Sequence, residues 1–164
     1  MNDSIQSHVD VLILGSGLAG QSLALRLADS KKVALVTKKS LQDSASSWAQ
    51  GGIAAVLDPA DSTKAHFDDT LNAGAGLCNP DATRYVVESG RESIDWLIRR
   101  GVAFTRDESA LGDHLTREGG HGQRREIHAA DATGAAVQRT LTAQVMKHPN
   151  IQVLEHHIAV DLIN

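Results

Sequence analysis

Apolar positions along the chain follow two rhythms, short unbroken runs and stripes at helical spacing, separated by stretches with neither. The first run is Val9, Val11, Leu12, Ile13 and Leu14, interrupted only by Asp10 and stopped by Gly15. A run of that length ending at a glycine predicts a buried parallel strand. Leu23, Leu25, Leu27 and Ala28 follow on a segment with helical character, and Lys-Val-Ala-Leu-Val-Thr at 32–37 predicts a second strand. Strand, helix and strand make a compact βαβ unit with the expected right-handed crossover.

The rhythm is lost over 40–52, which is polar and rich in small residues and reads as a loop. Asp61 or Ser62 can cap a helix running to about Asn72, with Gly74 to Gly76 ending it. Pro80 suits the first position of a longer helix striped by Val87, Ile94, Leu97 and Ile98 and closed by Gly101. From Ala103 to Ile127 the chain is charged, Gly-rich and aperiodic, as expected of a functional loop or an irregular hairpin. Asp131 or Thr133 can cap a further helix with Val137, Leu141 and Val145 on one face, ended by Pro149. The runs 151–154 and 158–163 read as strands, and His156-His157 as a turn or strand end between them. A parallel strand so close to the last residue lacks neighbours, so the expectation is a piece of a longer protein.

Composition narrows the class. The chain has 164 residues, 41% hydrophobic and 22% charged, which fits one folded domain. A formal net charge of -4, with Lys31-Lys32, Lys38-Lys39 and Arg99-Arg100 no more than short pairs, gives no basic stripe for nucleic acid. Cys78 is the single cysteine, with no disulfide partner or metal spacing, and reads as an inert thiol. No apolar run is long enough to span a membrane, and the polar start does not resemble a signal peptide. The expectation is a cytoplasmic protein.

Gly15, Ser16, Gly17, Leu18, Ala19 and Gly20 follow the first strand and open the first helix. A G-x-G-x-x-G in that context predicts a dinucleotide turn. Gly15 permits the tight turn, Gly17 lets the backbone approach a pyrophosphate, and Gly20 lets helix pack on strand. The second strand would then deliver an acid to a ribose hydroxyl, but Lys38 and Lys39 stand there. Lysine at that place reads either as a partner for an NADP 2′-phosphate or as part of a solvated pair. The segment Ala45, Ser46, Ser47, Trp48, Ala49, Gln50, Gly51 and Gly52 is small enough to let backbone N–H groups approach an anion or a flat ring.

These motifs, with His114-Leu115-Thr116-Arg117-Glu118-Gly119-Gly120-His121 and the run from His128 to Gly134, resemble the L-aspartate oxidase family in order and over almost the whole chain. That family belongs with the flavoprotein subunits of succinate dehydrogenase and fumarate reductase. The resemblance implies an α/β fold, the Rossmann-like FAD-binding domain of glutathione-reductase type, incomplete at its C-terminal end. Residues 1–164 would be the N-terminal part of a single FAD-binding domain, without the family's capping and C-terminal helical domains. It also implies oxidation of L-aspartate to iminoaspartate, with oxygen or fumarate as acceptor and the product passing to quinolinate synthase for NAD biosynthesis. Ser16, Gly17, Leu18 and Ala19 fall on the family's dinucleotide turn. Lys38 matches the lysine after its second strand, residues 45–52 its flavin and pyrophosphate loop, and Ala159 and Val160 a strand facing the adenine.

Two contrasts refine the expectation. The succinate and fumarate enzymes attach FAD covalently to a histidine before the Gly-Gly pair, and Ala45 stands at that position, so FAD is expected to be non-covalent. They also carry Arg-Phe-Gly-Gly where this chain has Arg117-Glu118-Gly119-Gly120. Alone, Glu118 reads as a solvated loop residue; within the motif its carboxylate suits an ammonium group. Succinate would leave that carboxylate unpaired at a cost on the order of 1–3 kcal/mol. Thr116, Gly119 and His121 flank it as further substrate contacts. His128 with Asp131 could form an acid/base pair but reads more simply as a polar loop residue and a helix start. His66, Asp68 and Asp69 could suggest a metal site but, as i, i+2 and i+3 neighbours on a helix, read more simply as a solvated face, and no metal is expected. No catalytic residue is expected within the chain. The alternatives are a fumarate reductase or succinate dehydrogenase type of flavoprotein, and a non-catalytic FAD-binding module.

Overall fold

The computed structural model describes residues 8–106, 114–129 and 132–163. In chain order they form β1 (Val11–Leu14), α1 (Leu18–Leu27), β2 (Val33–Val36), a 3-10 turn (Ala45–Trp48), β3 (Ile53–Ala54), α2 (Thr63–Ala73), α3 (Pro80–Glu88), α4 (Gly90–Arg99), β4 (Leu115–Thr116), β5 (Glu126–Ile127), α5 (Thr133–Val145) and β6 (Ile151–Leu154). The chain divides into two compact units, one built from 1–48 and 138–164 and the other from 49–137.

The first unit holds a parallel sheet in the order β1-β2-β6. Val11 to Leu14 pair with Val33 to Val36, which pair in turn with Ile151 to Leu154. Strands β1 and β2 are both wholly apolar, but only the central one is covered along its length: Val33, Ala34 and Leu35 are buried, whereas Leu12 and Leu14 of β1 are exposed. On α1 the buried positions are Gln21, Ala24, Leu25 and Ala28, a helical stripe with a glutamine at its head, while Leu23 is exposed. Val137, Leu141 and Val145 of α5 are buried as the stripe predicts.

The strand expected at 158–163 is not formed: those residues have no regular structure, and Ile158, Val160, Leu162 and Ile163 are exposed. Period-two apolarity makes a strand only where a neighbour takes up its N–H and C=O groups, and none lies beside this segment among the described residues. Before it, His156 turns the chain at φ 59° and the His157 N–H donates to Thr37 O at 3.0 Å.

The second unit holds an antiparallel sheet in the order β3-β5-β4, each strand two residues long. The pairing of β4 with β5 makes 103–127 an irregular hairpin in its described part. Ser62 caps α2 by accepting the Ala65 N–H, and Asn79 caps α3 by accepting that of Ala82. The single helix expected from Pro80 to Gly101 is two, broken at Ser89. The Ser89 hydroxyl donates to Tyr85 O at 2.7 Å, and Gly90 follows. A serine–glycine pair is a known cause of helix breaks, and a Cβ on Gly90 would lie 3.4 Å from Ala55, so the bend brings bare backbone against that residue. No helix among the described residues is long and apolar enough to cross a membrane.

Candidate functional site

In the first unit the chain leaves β1 through Gly15, whose φ of 108° only glycine adopts readily. Its N–H donates to Val36 O at 2.8 Å, which ties the turn to the end of β2. Gly17 is the N-cap of α1 and offers no side-chain cap. The first N–H groups of the helix therefore lack intrahelical partners, the usual basis of an anion site. That of Leu18 reaches the Ser46 hydroxyl at 3.3 Å. A Cβ on Gly20 would lie 2.0 Å from Gly15 O, so helix and turn touch through bare backbone.

The turn is held from behind by buried amides. Ser16 O accepts Nε2–H from both Gln21, at 2.8 Å, and Gln138, at 2.9 Å. Gln21 Oε1 accepts the Thr142 hydroxyl at 3.2 Å, and Ser16 Oγ donates to Thr37 Oγ1 at 2.9 Å. Neither glutamine featured in the sequence analysis. The available signal was a polar residue at the head of the α1 stripe.

Beside the turn lies a cavity of about 360 Å³ lined by Gly15, Ser16, Gly17, Lys38, Ala45 and Ala159 among others. A free helix N-terminus, a lysine at the rim and backbone without side chains fit the pyrophosphate-bearing half of FAD. Of the two residues expected on the adenine side, Ala159 lines this cavity; Val160 is not among its lining residues and is not in a strand. Ser47 Oγ donates to Gln42 O at 2.6 Å, and Trp48 is exposed.

The remainder of the small-residue loop, Ala49 to Gly52, belongs to the second unit. Ala49, Gln50 and Gly51 are exposed there. The Gly52 N–H donates to Glu126 Oε1 at 2.9 Å, and a Cβ on Gly52 would meet Ile127 O at 2.5 Å. Glu126 Oε2 is buried without a hydrogen-bond partner among the described residues.

The segment from Thr116 to His121 leaves β4 as an exposed bend, with Gly120 at φ 87°. Thr116 Oγ1 meets His128 Nε2 across the hairpin, which makes His128 a partly buried polar residue; Asp131 lies outside the described residues. Glu118 and Gly119 are exposed. The His121 ring stands edge-on to that of His66 at 6.1 Å, with its Nδ1 buried. A cavity of about 810 Å³ is lined by Asp58, Asp61, His114, Thr116, Arg117 and Arg124 among others.

At the base of this bend sits a group that sequence reasoning misread. Arg125 is fully buried and grips Asp61 with two hydrogen bonds of 2.9 Å. Its third contact is Asp69 Oδ2, at 2.7 Å. His66 is buried too, so the face carrying it and Asp69 is not the solvated one expected; only Asp68 is exposed, paired with Lys64. The reason is the arginine, which makes an inward-facing carboxylate favourable. Burial, then the charge of Arg125 and the neighbouring His121, hold the His66 pKa below its ordinary value of 6.5. The Gly122 N–H, followed by Arg125, holds the Asp69 carboxyl below its ordinary 3.8.

The chain is similar to known flavoproteins along most of its length. The chain is 62% identical to L-aspartate oxidase 1 of Ralstonia nicotianae over 157 residues, covering 95% of this chain and 30% of that protein. It is 54% identical to the L-aspartate oxidase of Pseudomonas aeruginosa over 160 residues, covering 94% and 30%. The chain thus spans about 30% of the length of these curated relatives. Among solved structures, E. coli quinol fumarate reductase superposes with a TM-score of 0.85 at 31% identity, over 93% of this chain and 27% of that one. The sequence model of the FAD binding domain matches residues 10–164, and the chain is a member of that FAD-binding domain family.

Proposed function

We propose that this chain is the N-terminal, FAD-binding part of an L-aspartate oxidase acting in the cytoplasm. It would convert L-aspartate to iminoaspartate for quinolinate synthase, with fumarate or oxygen as acceptor. The fold is read as a Rossmann domain of glutathione-reductase type, with capping and helical domains supplied by the rest of a longer protein. The observation that carries the reading is 62% identity over 95% of the chain to a protein of that name.

Bound FAD supplies the two-electron acceptor. The chain's own residues bind and orient. The backbone of Gly17, Leu18 and Ala19 would take the pyrophosphate, the Leu18 N–H exchanging its Ser46 hydroxyl partner for a phosphate oxygen; Ser16 closes the turn, and Lys38 lies at the rim. The backbone of Ala159 and Val160 serves the adenine side. Residues 45–52 approach the flavin through small side chains, and Ala45, lacking a nucleophilic atom, leaves FAD non-covalent. Glu118 accepts a charge-assisted hydrogen bond from the substrate ammonium, flanked by Thr116, Gly119 and His121.

The test begins with FAD mixed with the purified protein and desalted. Retained flavin absorbance that is released by acid precipitation is the expected result. Flavin left on the precipitated polypeptide would overturn the non-covalent assignment. In the holoenzyme, Glu118→Gln should raise KM for aspartate by about ten- to hundredfold and leave that for fumarate nearly unchanged. Equal effects on both would remove the ammonium role, and flavin reduction by succinate instead of aspartate would favour the dicarboxylate reading.

A further inference from the structure

We propose that Asp69 is a positioning residue for the substrate bend: accepting the Gly122 N–H and the Arg125 guanidinium together, it fixes residues 118–122 to α2 so that Glu118 meets the substrate ammonium in one geometry. The inference rests on the aspartate-oxidase reading for the identity of the substrate. The anchoring itself rests on distances alone.

The bend is exposed over residues 117–120 and carries two adjacent glycines, and within it the His121 N–H donates to Glu118 O at 3.2 Å. It is fixed at its ends. On the β4 side, the Arg125 N–H donates to Thr116 O at 3.1 Å, within the short antiparallel ladder. On the far side, the Gly122 N–H donates to Asp69 Oδ2 at 2.6 Å. The same oxygen takes Nη1–H of Arg125 at 2.7 Å. One carboxylate oxygen thus gathers the returning strand and the end of the bend onto one helix. A Cβ on Gly122 would lie 3.1 Å from that oxygen, so a side chain there would push the carboxylate back by a few tenths of an ångström. Asp61 already holds Arg125 with two bonds, so the arginine does not need Asp69 to stay paired. That redundancy separates the bend-holding role from the burial of the arginine. Asp69 keeps its charge through these two donors, and a charged acceptor makes the stronger hydrogen bond.

The experiment uses the FAD-loaded holoenzyme with Asp69→Ala and Asp69→Asn. Asparagine can still accept the Gly122 N–H through its amide oxygen but carries no charge, and it keeps the volume should the alanine variant fail to fold. The expected result for Asp69→Ala is a rise of about tenfold in KM for aspartate with kcat within about twofold. Trypsin should at the same time cut the native protein faster after the exposed Arg117 and Arg124, and Asp69→Asn should fall between wild type and alanine in both readouts. An unchanged KM overturns the proposal, even if thermal stability drops. So does a changed KM with unchanged cleavage, because the effect would not then pass through the bend. If the wild type is not reduced by aspartate, the enzymatic reading fails separately. Faster cleavage in the variants then upholds the anchoring, and unchanged cleavage overturns it.

Discussion

Two glycines of the first turn answer to different constraints. A Cβ on Gly17 would meet only Ser46 Oγ, at 3.5 Å, and the φ of -68° suits any residue. A Cβ on Gly20 would lie 2.0 Å from a backbone oxygen that has nowhere to go. Gly20→Ala should therefore cost about 1–3 kcal/mol, read as a fall in the urea midpoint, whereas Gly17→Ala should leave the midpoint nearly unchanged and act only on FAD retention. Loss of stability in both would mean that the turn is governed by packing throughout. The glycine spacing made this turn legible in the sequence. The glutamines behind it were not, because a buried amide is chosen by what it faces, and Ser16 O is reached from Gln138, distant in the chain.

Elements were legible where their ends are set by neighbours in sequence. Ser62 accepts an N–H three residues on and Pro80 sets its own φ at the first helical position, so the starts of α2 and α3 could be read directly; the Asn79 cap was not among the expectations. Ser62→Ala should accordingly destabilise the fold by about 1 kcal/mol, seen as a lower urea midpoint with an unchanged m-value. What failed was set by distant partners. The break at Ser89 depends on Gly90 meeting Ala55, and β3 is too short for any periodicity. The run at 158–163 has the right alternation and no neighbouring strand. The face of α2 that carries His66 and Asp69 looked solvated because the arginine that claims it comes later in the chain.

For the whole molecule, that buried group makes stability depend on pH in one direction. The folded protein resists protonating His66, whereas the unfolded chain takes up that proton near 6.5, so unfolding is increasingly favoured as pH drops below that value. Asp69 acts in the same sense lower down: its contribution is complete above its ordinary 3.8 and is lost as pH falls through its depressed folded value. Urea unfolding across this range should show stability declining from about neutrality toward acid, with the first part of the decline absent in His66→Gln. A flat profile between neutrality and pH 5 would contradict the environment assigned to His66.

The sheet order has a consequence in time. A ribosome delivers β1, the glycine turn and β2 first, but β2 receives its second neighbour only when Ile151 to Leu154 emerge, after every residue of the second unit has been made. Gln138, which holds Ser16 from behind, also arrives late. The continuous stretch 49–137 can begin to organise during synthesis, while the glycine turn, although translated before that stretch, must wait until after it for its supports. An arrested nascent chain ending before Gln138 would therefore lack the glycine turn's backing despite containing every residue of the turn.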